Sequence, residues 1–154
     1  MAETVEKIAP VRSSVGVPLA PERAFRLFTE GMGSWWPLDR HAINEKEATG
    51  VTVEPRVGGR VFETLPGGGE AEWGRVTAWE PARLFAMTWH PGFEAERATL
   101  VEVTFSGTAE GGTLVELVHG GWEALGERAT AARTGYEQGW PIVLDRFADA
   151  APTA

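Results

Sequence analysis

Apolar positions recur along the chain with two different periods, and the changes between them mark out the elements. Val11 to Val17 alternates, with Val11, Ser13, Val15 and Val17 on one face, which predicts a first strand. The run PLAPERAFRLFTEGM then changes to a helical pattern. Pro21 suits a first helical turn with Glu22 beside it, Phe25, Leu27 and Phe28 form the apolar side, and Gly31 ends it. A short helix or loop through GMGSWWPLD leads into the polar segment RHAINEKEATG. From Thr49 to about His119 the period is two again, interrupted by glycine and proline at EPRVGGR, LPGGGE, WEPAR, HPGF and GTAEGGT. That pattern predicts roughly six strands joined by short turns, an antiparallel meander. From about Glu123 to Ala148, Leu125, Ala129, Ala132, Tyr136, Trp140, Val143, Leu144 and Phe147 are spaced by three and four, as in one long amphipathic helix.

The order is therefore strand, two short helices, six strands, long helix. A sheet of seven antiparallel strands with one apolar face needs a cover, and only the last helix is long enough to provide it. The expected fold is α+β, with a curved sheet wrapped around the C-terminal helix. That helix carries Gly135, Gly139 and Pro141. Interior glycine costs about 1 kcal/mol against alanine, and interior proline about 3 kcal/mol. Gly135 and Gly139 lie four apart, so they form a stripe without side chains that lets a strand, a bulky neighbour or a ligand come close to the backbone. Pro141 removes the bond to the Glu137 carbonyl and is expected to bend the helix.

With 154 residues the chain suits one domain, residues 1–154, with a core over about 11–148. The ends, before about Val5 and after about Ala150, are expected to fray. A net charge of −8 opposes phosphate backbones and anionic headgroups, which argues against nucleic acid and membrane surfaces as partners. No apolar stretch approaches a signal-peptide core or a membrane span, so the expected location is the cytoplasm. The absence of cysteine removes disulfide, thiolate and zinc-thiolate chemistry. Seven tryptophans stand out, because indoles suit both thick cores and ligand pockets.

Several blocks now combine: PLAPERAFRLFTE with WWP, VEPRVGGRVFE, EWGRVTAWEPARLFAMTW, VEVTF, GGTLVELVHGGW and GYEQGWPIVLDRF. In this order they resemble the bacterial proteins related to the activator of heat-shock-protein-90 ATPase, within the START-like superfamily of polyketide cyclases and lipid-transport proteins. The resemblance spans about Val11 to Phe147. It implies a helix-grip fold with an elongated cavity between sheet and helix. It is specific for fold and not for function, since the superfamily includes carriers, cyclases, receptors and co-chaperones.

Strand parity assigns side chains to the concave face. One set is Trp73, Arg75, Thr77 and Trp79, and the next Phe85, Met87 and Trp89. Thr99, Val101, Val103 and Phe105 follow, then Thr113, Val115, Leu117 and His119; a bulge would invert the assignment beyond it. The expected cavity lining draws on Trp35, Trp36 and Phe62 from the first half and Trp73, Met87, Trp89, Val103, Leu117 and His119 from the meander. Tyr136 and Trp140 complete it from the helix. Trp35 and Trp36 suit either a lid over the cavity or anchors of the helix-to-strand connection. His119 and Glu63 are the candidate proton carriers, although a histidine at a strand end more often serves to hold that end. Glu63 and Arg75, if inward, orient a polar ligand group; otherwise Glu54, Arg56, Arg60, Glu63, Glu72 and Arg75 form cross-strand pairs on a solvated face. His41 and His90 read as surface residues, and the histidine spacing suggests no metal site. LPGGGE reads as a hairpin turn without a phosphate-binding role, and no cofactor is implied.

Three functions follow in order of preference. The first is binding of a small apolar or amphipathic molecule in the cavity, by a monomer or homodimer. The second is an enzyme of cyclase, dehydratase or hydrolase type using His119 or Glu63. The third is a co-chaperone-like module that meets a protein partner through its outer surface.

Overall fold

The computed structural model describes residues 8–37, 49–92 and 94–153. Strand β1 (Val11–Val17) opens the chain and helix α1 (Pro21–Phe28) follows, with Pro21 at its first turn as its fixed φ favours. A 3-10 turn, Met32–Ser34, leads to Trp35 and Trp36. The meander is β2 (Gly50–Val53), β3 (Arg60–Thr64), β4 (Glu70–Glu80), β5 (Leu84–Trp89), β6 (Thr99–Gly107) and β7 (Thr113–Gly120). Helix α2 (Ala129–Ala150) closes the structure. The seven strands form one antiparallel sheet in the order β1-β7-β6-β5-β4-β3-β2, curled into a half-barrel. Helix α2 packs its apolar stripe against the concave side, so Trp140, Val143, Leu144 and Phe147 are buried with the inward residues of the sheet. This is the α+β helix-grip architecture.

The α2 pattern begins later than its periodicity predicts. Trp122–Arg128 is a 3-10 segment, and Gly126 within it adopts φ 57° and ψ −124°, a conformation that breaks the helical path before Ala129. Pro141 lies inside α2 without ending it. At the other end the chain does not fray after Ala150: Ala151–Thr153 form a 3-10 turn and Ala151 is fully buried. The expected fraying before Val5, the polar loop around His41 and its expected surface position lie outside the described residues.

Parity holds in β5, β6 and β7, where Phe85, Met87, Trp89, Thr99, Val101, Val103, Phe105, Thr113, Val115, Leu117 and His119 are all buried. It fails in the middle of β4. Val61 pairs with Gly74 and Phe62 with Glu72, leaving Trp73 as an extra residue; Val76 pairs with Met87 and Ala78 with Ala86, leaving Thr77 as a second. Each irregularity reverses the alternation. Trp73 is buried, Arg75 and Thr77 are exposed, Val76 takes the inward place, and Trp79 returns to pack against Phe25 and Phe85. The concave assignment of Arg75 and Thr77 is therefore corrected.

Candidate ligand cavity between sheet and helix

Where the Trp89 end of β5 faces the middle of α2, the core opens into a cavity of about 520 Å³. The sheet side supplies Trp89, with Pro91 and Gly92 from the turn that follows, and Trp36 enters from the connection after α1. Helix α2 supplies Ala132, Gly135, Tyr136, Gly139, Trp140 and Val143. These recur at steps of three and four, so one helix face forms one wall. A Cβ built on Gly135 meets no atom within 4 Å. Among the described residues, no strand has moved into the space over that glycine; it borders the cavity.

Four of the expected lining residues, Trp36, Trp89, Tyr136 and Trp140, come together on the wall. The others lie elsewhere. Trp35 donates its indole N–H to the Leu27 carbonyl at 2.8 Å and packs edge-on to Phe147, which makes it an anchor for the connection. Trp73, Met87, Val103 and Leu117 are packed into the core. Phe62 pairs across the sheet with exposed Thr52, and the Arg60 guanidinium lies 4.6 Å from its ring centre, so it belongs to the convex face. Sequence reasoning missed Pro91, Gly92, Ala132 and Val143 as wall residues. For Ala132 the signal was present, since it continues the Gly135, Gly139 stripe by one step of three.

Behind the wall runs a chain of buried hydrogen bonds. Trp140 Nε1 donates to His119 Nδ1 at 2.9 Å, which makes Nδ1 the acceptor and leaves the ring proton on Nε2. Nε2 then donates to Thr99 Oγ1 at 2.7 Å, and that hydroxyl donates to the Trp89 carbonyl at 3.2 Å. His119 is fully buried, with the Trp122 ring 4.1 Å away between centres. Burial lowers its pKa to about 3, so the imidazole is neutral. Both nitrogens are occupied and the ring is not part of the cavity wall. On the wall itself Trp89 Nε1 donates to the Tyr136 hydroxyl oxygen at 2.9 Å. Burial raises the Tyr136 pKa, partly offset by that bond, so the phenol stays protonated at neutral pH.

Glu63 is fully buried and accepts the Trp73 indole N–H at 2.7 Å. It faces the core without reaching the cavity wall, while Arg75 sits outside, bonded to Glu72 at 3.0 Å. The conditional pairing of an inward Glu63 with an inward Arg75 does not form, and Glu63 also departs from the solvated cross-strand pairing, because it is buried while Arg75 is exposed. Arg60 meets Glu70 at 2.9 Å and Glu72 at 3.3 Å, so the middle strands carry a cross-strand charge network. His90 is not a surface residue: only 6% exposed, it is held 3.1 Å from Glu72 across the sheet. The Pro91–Gly92 turn beside it suggested solvent, but the backbone N–H of His90 bonds to the Trp73 carbonyl at 2.6 Å and draws the residue into the sheet.

The family model for the Activator of Hsp90 ATPase homolog 1-like protein matches residues 18–151. The chain belongs to that family. Solved structures agree with it. An anthrahydroquino-γ-pyrone synthase, Txn09, is 35% identical with a TM-score of 0.60, the match covering 95% of this chain and 99% of that one. The Aha1 dimer from Colwellia psychrerythraea is 18% identical with a TM-score of 0.65, covering 94% and 96% of the two chains. DynU16, a putative protein in the dynemicin biosynthetic locus, is 17% identical with a TM-score of 0.66, covering 95% of this chain and 48% of that one. The last two show the fold alone. No curated protein matches. Among the described residues no helix is long and apolar enough to cross a membrane.

Proposed function

We propose that this family member binds a small, flat, aromatic or amphipathic molecule in the cavity between sheet and α2. The observation that carries the reading is the wall itself: about 520 Å³ bounded by three indoles and a phenol, next to Gly135, which leaves space unfilled. Volumes of roughly 300–1,000 Å³ with apolar aromatic walls and few polar groups are typical of small-molecule sites. The 35% identity to a synthase of an anthrahydroquino-γ-pyrone supports an aromatic, oxygenated ligand class.

That identity also favours a second reading, in which the cavity shapes a reactive precursor during ring formation. In such an enzyme His119 is poorly suited to carry protons, because both nitrogens are engaged and burial holds it neutral. Catalysis would then come from confinement and from the wall's own donor, Tyr136.

Native mass spectrometry of the protein as purified, followed by denaturing extraction, tests the binding reading. The expected result is a released aromatic molecule of defined mass, or one-to-one uptake of added anthraquinone-2-sulfonate. A protein that is empty as purified, and stays empty with excess planar aromatic sulfonates present, overturns it.

A further inference from the structure

We propose that the Tyr136 hydroxyl selects the ligand, donating its proton to a ring carbonyl or ether oxygen on a flat polycyclic molecule held against Trp36, Trp89 and Trp140; this rests on the cavity-binding reading above. Much of the polar capacity around the cavity is already used. The Trp140 N–H goes to His119, the His119 N–H to Thr99, the Thr99 hydroxyl to the Trp89 carbonyl, and the Trp89 N–H to Tyr136. The Tyr136 oxygen is an acceptor in that last bond, and among the described residues nothing accepts its proton. A phenol can both donate and accept, so the donor function is available to whatever occupies the cavity.

Two features suit the hydroxyl to this role. The bond from Trp89 fixes the phenol oxygen relative to an indole that also lines the cavity, and an N–H donated into the oxygen strengthens its own O–H as a donor. The phenol also stays neutral at physiological pH, so it offers a proton and seeks an acceptor. The preferred ligand is therefore an aromatic ring system bearing an exposed oxygen acceptor. The same ring system without the oxygen fills the space but leaves the donor unsatisfied, the kind of mismatch by which sites built around a hydrogen bond discriminate.

The test compares anthraquinone-2-sulfonate with anthracene-2-sulfonate, which share a tricyclic frame and a sulfonate and differ in two ring carbonyls. Both are titrated into wild type and Tyr136→Phe, with binding read by calorimetry and by quenching of indole fluorescence. Loss of one neutral hydrogen bond corresponds to about three- to ten-fold weaker binding. The expected result is that Tyr136→Phe loses this factor for the quinone while its affinity for the anthracene is unchanged. Any change common to both ligands, such as a shift of Trp89 once its acceptor is gone, cancels in the comparison. Equal weakening of both ligands, no weakening of either, or wild type that takes the anthracene and rejects the quinone overturns the inference and leaves the cavity reading intact. Wild type that takes neither overturns both.

Discussion

His119 illustrates how much a single residue's surroundings decide its role. Its sequence position at the end of an apolar strand fits a proton carrier as well as a structural histidine. The folded environment selects the structural role, since Trp140 and Thr99 occupy both nitrogens and desolvation brings the pKa from 6.5 to about 3. A depressed histidine pKa has a defined consequence for stability. Between pH 6.5 and about 3 the unfolded chain binds a proton that the folded chain does not, so stability is full above that window and falls as pH drops through it. The slope expected from this group is about 1.4 kcal/mol per pH unit. Urea unfolding at several pH values across the upper part of the window should show it in wild type. In His119→Asn that component of the slope should disappear, while stability at neutral pH falls by about 2–4 kcal/mol through lost packing and unpaired Trp140 and Thr99 groups. Identical pH profiles for the two proteins would mean that the imidazole is not held neutral in the fold.

At the scale of elements, legibility follows the regularity of the backbone. β1, β6 and β7 keep strict alternation, and β5 keeps Phe85, Met87 and Trp89 inward although Ala86 between them is buried as well, so their inward faces can be read directly from the sequence. β4 cannot be read that way, because extra residues at Trp73 and Thr77 shift parity through pairing with β3 and β5; in the local pattern EWGRVTAW only the interior Gly74 points to the first of them, and nothing points to the second. The stripe of small residues on α2 was legible; that open space and not a strand or bulky side chain lies over Gly135 was not. Which indoles wall the cavity and which fill the core was not, because Trp35, Trp36, Trp73, Trp89 and Trp140 are all buried and differ only in their neighbours. Gly74 marks the β4 irregularity most sharply. A Cβ there would lie 1.7 Å from the Thr88 carbonyl oxygen, a backbone atom that can move only if β5 moves. Gly74→Ala should therefore destabilise the protein by at least about 3 kcal/mol, the upper range for overpacking. A denaturant midpoint equal to wild type would show that β4 and β5 do not approach this closely.

Across the whole molecule, core and cavity are built from the same rings. Aromatic contacts run from Phe25 and Phe105 through Phe28, Trp35 and Trp36 to Trp89, Trp140 and His119, ending at Trp122. Unfilled space beside such a core forfeits dispersion contacts and so lowers stability, and an occupant restores them. Binding and folding are thereby linked. Anthraquinone-2-sulfonate at one hundred times its dissociation constant should raise the unfolding free energy by about 2.7 kcal/mol, read as a higher thermal or urea midpoint. Gly135→Leu separates filling the cavity from binding a ligand. Its side chain projects from a helical position into open space beside the cavity wall, and it replaces a poor helix former with a good one worth up to about 1 kcal/mol. The variant should match or exceed wild type in stability without ligand and show no increment when ligand is added. If Gly135→Leu is instead less stable, the space over that glycine is closed in the folded protein. If it retains the full increment, the ligand binds somewhere other than between the sheet and α2.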